Sequence, residues 1–265
     1  MSSRKVLAIA AHPDDIEFMM AGTLLLLGEA GYELHVMNIA NGSCGTASES
    51  RESIIASRLG EARDAAKAEG AISHEPIVDD LEIFYCTAQI RKVVAIVREV
   101  QPTITLLQSP EDYMEDHMNA CRIGVSAAFF RGMCNFISDP PRETVLGEVT
   151  LYHALPYGLR DGLRRRVRAG QYVDIASVIG KKREALACHR SQKEWLDQSQ
   201  GLDSYLIAME EMSREVGRMS GIFEYAEGWR RHAHLGFCAE GADPLAEALG
   251  NKTMVCPEYE RGLGA

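Results

Sequence analysis

Four consecutive residues, His12-Pro13-Asp14-Asp15, combine the side-chain types that metal-assisted hydrolysis needs. They follow the apolar run Val6-Leu7-Ala8-Ile9-Ala10 and precede a long helical pattern, which sets them at a strand end. His12 and Asp15 have metal-ligand chemistry, and Pro13 stiffens the turn so that their side chains can converge. Asp14 stays free between them, and a carboxylate beside an activated water is a general base. The same residues also read as an ordinary helix N-terminus, with Asp14 or Asp15 capping exposed N–H groups and His12 incidental.

A hydrolytic zinc takes three protein ligands and keeps one position open for water, so the pair His12 and Asp15 needs a third partner. His117 is the natural donor, in Pro110-Glu-Asp-Tyr-Met-Glu-Asp-His117, one residue into a helix that follows another predicted strand. Its alternative is a helix capped by Asp116 whose histidine faces solvent. Two such clusters on one sheet edge weaken that alternative.

The elements that must position these residues follow from hydrophobic periodicity. Strands are predicted at 4–10, 33–39, 76–78, 103–107 and 149–153, and helices at 15–30, 48–69, 87–100 and 116–130. Ile54, Ile55, Leu59, Ala62 and Ala66 supply the expected apolar side of the second helix. Alternating strands and helices imply an α/β fold: a Rossmann-like open, mostly parallel sheet with helices on both faces and ligands outside the carboxyl ends of the strands. His12, the loop after Asn41 and the loop around Glu111 all fall there. Residues 155–166 read as a loop over the site, 175–189 and 204–219 as helices, and 223–237 as extended. The segment after Glu240 carries no clear pattern.

With 265 residues, 46% of them hydrophobic, the chain is expected to fold as one domain over 1–265, with its core at about 4–237 and a tail at 240–265. A net charge of −10 argues against nucleic-acid and anionic-membrane partners. No apolar run reaches the length of a membrane span, and the N-terminus lacks the apolar stretch of a signal peptide. Seven scattered cysteines without a Cys-x-x-Cys pair read as reduced thiols, which together predicts a cytoplasmic protein. Cys44 and Cys188 lack a nearby base that would make either a nucleophile.

These residues resemble the LmbE-like, or PIG-L-like, zinc-dependent N-deacetylase family. Its hallmark His-Pro-Asp-Asp is matched by His12 to Asp15, and its Asn-Asp-Tyr-His-Pro-Asp-His block is approximated by Glu111 to His117. Weaker matches are Arg58-Leu-Gly-Glu61-Ala62, the segment from Lys182 to Gln192, and Ala226-Glu227-Gly-Trp229. The resemblance runs in order over residues 4 to about 237. It implies Zn2+, or another divalent metal, bound by His12, Asp15 and His117, with Asp14 accepting a proton from the attacking water. Arg58 becomes a substrate contact. The implied substrate is a small N-acetylated sugar of the N-acetylglucosamine type, or its conjugate, and a homo-oligomer is compatible with that reading.

One departure matters. In the family, Asp116 would orient a histidine that stabilises the oxyanion, but Met114 holds that histidine's place and Glu115 replaces a proline. A thioether cannot donate a hydrogen bond. His153, at a predicted strand end, is the first candidate to supply the donor, with His232 and His234 next. The Arg-rich run from Arg160 to Arg168 could bind an anionic group but is more often a solvated face. Alternatives are hydrolysis of another amide or ester, or a noncatalytic sugar-binding relative. A nucleotide-binding Rossmann domain would carry Gly-x-Gly-x-x-Gly after the first strand, where this chain has His-Pro-Asp-Asp.

Overall fold

The computed structural model describes residues 4–193 and 204–264. Its strands are β1 (Lys5–Ala10), β2 (Glu33–Asn38), β3 (Ile72–His74), β4 (Ile104–Leu107), β5 (Thr150–Ala154), β6 (Gln171–Asp174), β7 (Ala226–Arg231) and β8 (Thr253–Val255). They form one sheet in the order β3-β2-β1-β4-β5-β7-β6-β8. The first five run parallel, and the last three pair antiparallel at one side.

Helices cover both faces. They are α1 (Asp15–Met19), α2 (Ala21–Glu29), α3 (Arg51–Glu69), α4 (Thr87–Val100), α5 (Glu115–Phe130), α6 (Ile179–Leu186), α7 (Ser204–Ser220), α8 (Pro244–Leu249) and α9 (Pro257–Gly262). Side chains of β1 alternate between the two layers: Val6, Ala8 and Ala10 pack with Leu24, Leu27 and Trp229, while Leu7 and Ile9 pack with Val93, Val97 and Ile123. That two-sided burial is why β1 reads as an unbroken apolar run. Because β1 lies between β2 and β4, the strand order reverses beside it, and the crevice at such a reversal is where open α/β sheets bind ligands.

Several sequence expectations are corrected. The helix expected over 15–30 breaks at Met20, whose backbone is not helical (φ −133°, ψ −21°). A second helix can begin there because Glu227, far along the chain, accepts the N–H groups of Gly22 (2.8 Å) and Thr23 (2.7 Å). These would otherwise be orphan donors of the first turn. The third strand is Ile72–His74, paired with β2, whereas 76–78 contributes only a bridge from Val78 to Ala40. On α3 the buried positions are Ile54, Arg58, Glu61, Ala65, Ala66 and Glu69, so much of its inner face is charged. The segment after Glu240 supplies α8, the edge strand β8 and α9.

Candidate metal centre

β1 delivers His12 and the turn that follows it. Asp14 adopts φ 107°, a left-handed conformation uncommon for a residue with a side chain. The turn is closed by the N–H of Asp15 on the His12 carbonyl (3.2 Å) and by the N–H of His12 on Asp15 Oδ2 (2.7 Å). Asn38, at the end of β2, donates to the His12 carbonyl. From the neighbouring strand, β4 leads through residues 108–114 into α5, which carries His117 in its first turn.

His12, Asp15 and His117 each present a ligand atom within 4.8 Å of the others. His12 Nδ1 lies 3.5 Å from Asp15 Oδ2, and His117 Nε2 lies 3.4 Å from Asp15 Oδ1. The opposite ring nitrogens are both occupied: His12 Nε2 pairs with Asp116 Oδ2 at 2.9 Å, and His117 Nδ1 pairs with Asp112 Oδ1 at 3.0 Å. A carboxylate on the far nitrogen is the arrangement that fixes tautomer and ring orientation in metal-binding histidines. The donor set therefore fits a divalent cation of the zinc type.

Electrostatics agree with a site short of positive charge. Burial alone would lower the pKa of His12, but hydrogen bonds to Asp116 and Asp15 outweigh it and raise it to about 10. Burial likewise opposes protonation of His117, and Asp15 with Asp112 reverses that. Burial favours a neutral Asp15, yet His117 and His12 hold its carboxyl well below the usual range. Asp14 is pushed upward by burial, offset in part by Arg58. Tyr205 donates its hydroxyl to Asp14 Oδ2 at 2.8 Å.

A cavity of about 280 Å³ opens above these residues. Asp14, Asp15, Asp112, His117 and Gln108 lie in its wall, and Phe18, Leu155, Tyr113, Tyr157 and Tyr205 form much of the remainder. Among the described residues no lysine or arginine lines it.

Not every expected site residue is there. Arg58, 3% exposed, donates to the Pro13 carbonyl and sits 3.5 Å from Asp14 Oδ2, so it braces the turn rather than lining the cavity. Asp116 is not a cap: the position before α5 is Met114, and Asp116 accepts from the Leu81 N–H and faces His12. His153 points away from the cavity, because its Nδ1 meets the Gln108 carbonyl (3.2 Å) and its Nε2 meets His232 Nδ1 (2.9 Å). His232 and His234 line a different hollow, with Asp243 and Tyr259. The antiparallel pairing of β5 with β7 sets His153 against Arg230 and turns this group toward another face. Asp112 and Tyr205 escaped sequence reasoning. Asp112 had a usable signal, an acid five residues before His117 in the same loop; Tyr205 had none, since 191 residues separate it from Asp14.

A family model described as PIG-L: GlcNAc-PI de-N-acetylase matches residues 7–128. Diacetylchitobiose deacetylase of Thermococcus kodakarensis is 29% identical over 235 residues, covering 86% of this chain and 82% of that protein. A 4-oxalmesaconate hydratase of Pseudomonas putida is 25% identical, covering 72% of this chain and 74% of its own. The solved N,N'-diacetylchitobiose deacetylase of Pyrococcus horikoshii shares the fold with a TM-score of 0.73 at 23% identity, over 92% of this chain and 89% of that one. The match to the PIG-L, or LmbE-like, deacetylase family model thus spans residues 7–128, the stretch that carries His12, Asp15 and His117.

Proposed function

We propose that this chain is a zinc-dependent N-deacetylase that hydrolyses the acetamide of an N-acetylglucosamine-type sugar or its conjugate. The observation that carries the reading is the pair of histidines, each tied through one nitrogen to a carboxylate and turned by the other toward Asp15. His12, Asp15 and His117 would hold the ion. A divalent cation there would polarise the acyl carbonyl as a Lewis acid and acidify water. Asp14 is the general base: Tyr205 and Arg58 occupy its Oδ2 side, and its carboxyl lines the cavity. Burial, which shifts it upward, brings it nearer the range where a carboxylate accepts and returns a proton at neutral pH. The same proton then goes to the departing amine. Asp112 and Asp116 orient the two imidazoles, while Phe18, Leu155 and the tyrosines limit water and offer flat apolar faces to a sugar ring.

Seven unpaired cysteines favour a reducing compartment, so we place the protein in the cytoplasm. No helix among the described residues is long and apolar enough to cross a membrane. The test is acetate release from N,N'-diacetylchitobiose and N-acetylglucosamine by zinc-loaded protein of measured metal content. Metal-replete protein that releases no acetate from any N-acetylated sugar overturns the reading.

A second reading, addition of water to a carbon–carbon double bond, is prompted by the similarity to the hydratase. The cavity disfavours it: Asp14, Asp15 and Asp112 line it without a described lysine or arginine to receive a carboxylate substrate.

A further inference from the structure

Met114 cannot donate to an oxyanion and His153 faces elsewhere, so a side-chain donor that assists the cation has to come from another residue in the cavity wall. Most polar side chains there are already engaged; the Ser204 hydroxyl has no hydrogen-bond partner among the described residues, but its oxygen is wholly buried rather than presented to the cavity. Ser109 donates to the Glu111 carbonyl, Gln192 to the Gly45 carbonyl and Tyr205 to Asp14. Tyr113 and Tyr157 stand at the mouth, 59% and 44% exposed.

Gln108 differs from all of these. It follows the last residue of β4, beside the end of β1, and is 3% exposed. The Ala11 N–H donates to its Oε1 at 2.8 Å. Only the oxygen of a carboxamide can accept, so that bond fixes which end of the amide is which. The Nε2 group has no protein partner among the described residues, and it is the polar end left for the cavity that Gln108 lines. The backbone of Gln108 is held too, because His153 Nδ1 donates to its carbonyl. Burial and His232 push the pKa of His153 down to about 4, which keeps it neutral with its proton on that nitrogen. The histidine expected inside the pocket instead buttresses the residue that is there.

We infer that Gln108 is a further catalytic residue whose Nε2 hydrogen-bonds the acyl oxygen of the substrate as negative charge develops on it. The assignment rests on the deacetylase reading above. A donor clamped to two adjacent strand ends is preorganised, and that is the property that makes such donors effective. Loss of one comparable donor lowers kcat by about 10²–10³-fold in acyl-transfer sites.

The experiment uses zinc-loaded full-length protein at pH 8, with kcat, KM and metal content measured on N,N'-diacetylchitobiose. Gln108→Glu keeps an acceptor for the Ala11 N–H and removes the donor; Gln108→Met keeps the size and removes both. The expected result is a fall in kcat of about 10²-fold in each, with KM changed by less than about threefold and metal content unchanged. Inhibition by methylphosphonate, a tetrahedral anion, should weaken in both. Variants that keep kcat within about threefold overturn the assignment, most plainly if Tyr113→Phe or Tyr157→Phe takes the loss instead. Loss of metal in both variants also overturns it, since Gln108 would then act only through Ala11 on the frame. Inactive wild-type protein overturns the functional reading itself, and the assignment with it.

Discussion

Asp14 is held from behind by Tyr205 and Arg58, and its role can be separated from that of its neighbour Asp15. Asp14→Asn should lower kcat by about 10²–10⁴-fold while bound zinc, measured by atomic emission, stays at the wild-type level. Retained turnover would move the base elsewhere, with Asp116 the next candidate. Tyr205→Phe tests the support. Its hydrogen bond favours the charged form of Asp14, so removing it should raise the carboxyl pKa and move the acid limb of kcat/KM to higher pH. An unmoved limb would separate Tyr205 from the base. At this scale the sequence announced residues whose chemistry is local and typed: His12, Asp15 and His117 sit at strand ends and are ligand-type side chains. It was silent on Tyr205 and Gln108, because each acts through a contact between segments far apart in the chain. It misdirected attention to His153, since a strand-end histidine can face either side and only the pairing of β5 with β7 decides which.

Among the elements, α2 depends on a carboxylate from β7. Glu227 receives Gly22, Thr23 and, at 2.6 Å, the Lys182 ammonium of α6, all buried. Glu227→Ala strands that ammonium and should destabilise the protein by about 3–5 kcal/mol in urea denaturation. Adding Lys182→Met should recover part of the loss; strict additivity of the two would mean that they do not interact. The neighbouring α3 carries Glu69, whose two carboxyl oxygens have no hydrogen-bond partner among the described residues. Burial, then Glu17 and Glu227, raise its pKa well above the ordinary 4.5, against the opposing pull of Lys182. A raised acid contributes its stability below the unfolded pKa and loses it as pH climbs toward the folded value. Glu69→Gln should therefore gain on wild type as pH rises from 5 to 8, as read by chemical denaturation at the two pH values. A constant difference between the two pH values would refute it. Helix α4 was legible to the residue because Ile90, Val93, Val94 and Val97 are apolar at helical spacing and buried. The inner face of α3 was not, since its buried positions include Arg58, Glu61 and Glu69, which periodicity assigns to solvent.

For the whole molecule, the centre ties the end of β1 to the start of α5, on either side of the strand-order reversal. An ion that binds only the folded form must stabilise all of it. Chelation should abolish acetate release and lower the thermal midpoint, and zinc restored to 100 times its Kd should return about 2.7 kcal/mol. A midpoint indifferent to chelator would argue against the centre. The parallel half of the sheet was readable from alternating strands and helices, whereas the antiparallel side, with β8 drawn from the segment after Glu240, is built from short strands whose pairing no local pattern encodes. The turn at Asp14 carries a consequence for global stability. Both Asp14→Gly and Asp14→Ala delete the carboxylate and its contacts, but only glycine accepts φ 107° without strain. The glycine variant should be more stable than the alanine variant by about 1–2 kcal/mol, and that difference weighs the tension the fold sustains at the residue proposed to move the proton. A chain relaxed at this position would outlast its alanine counterpart and turn over no faster: here the demands of durability and turnover meet on a single torsion angle.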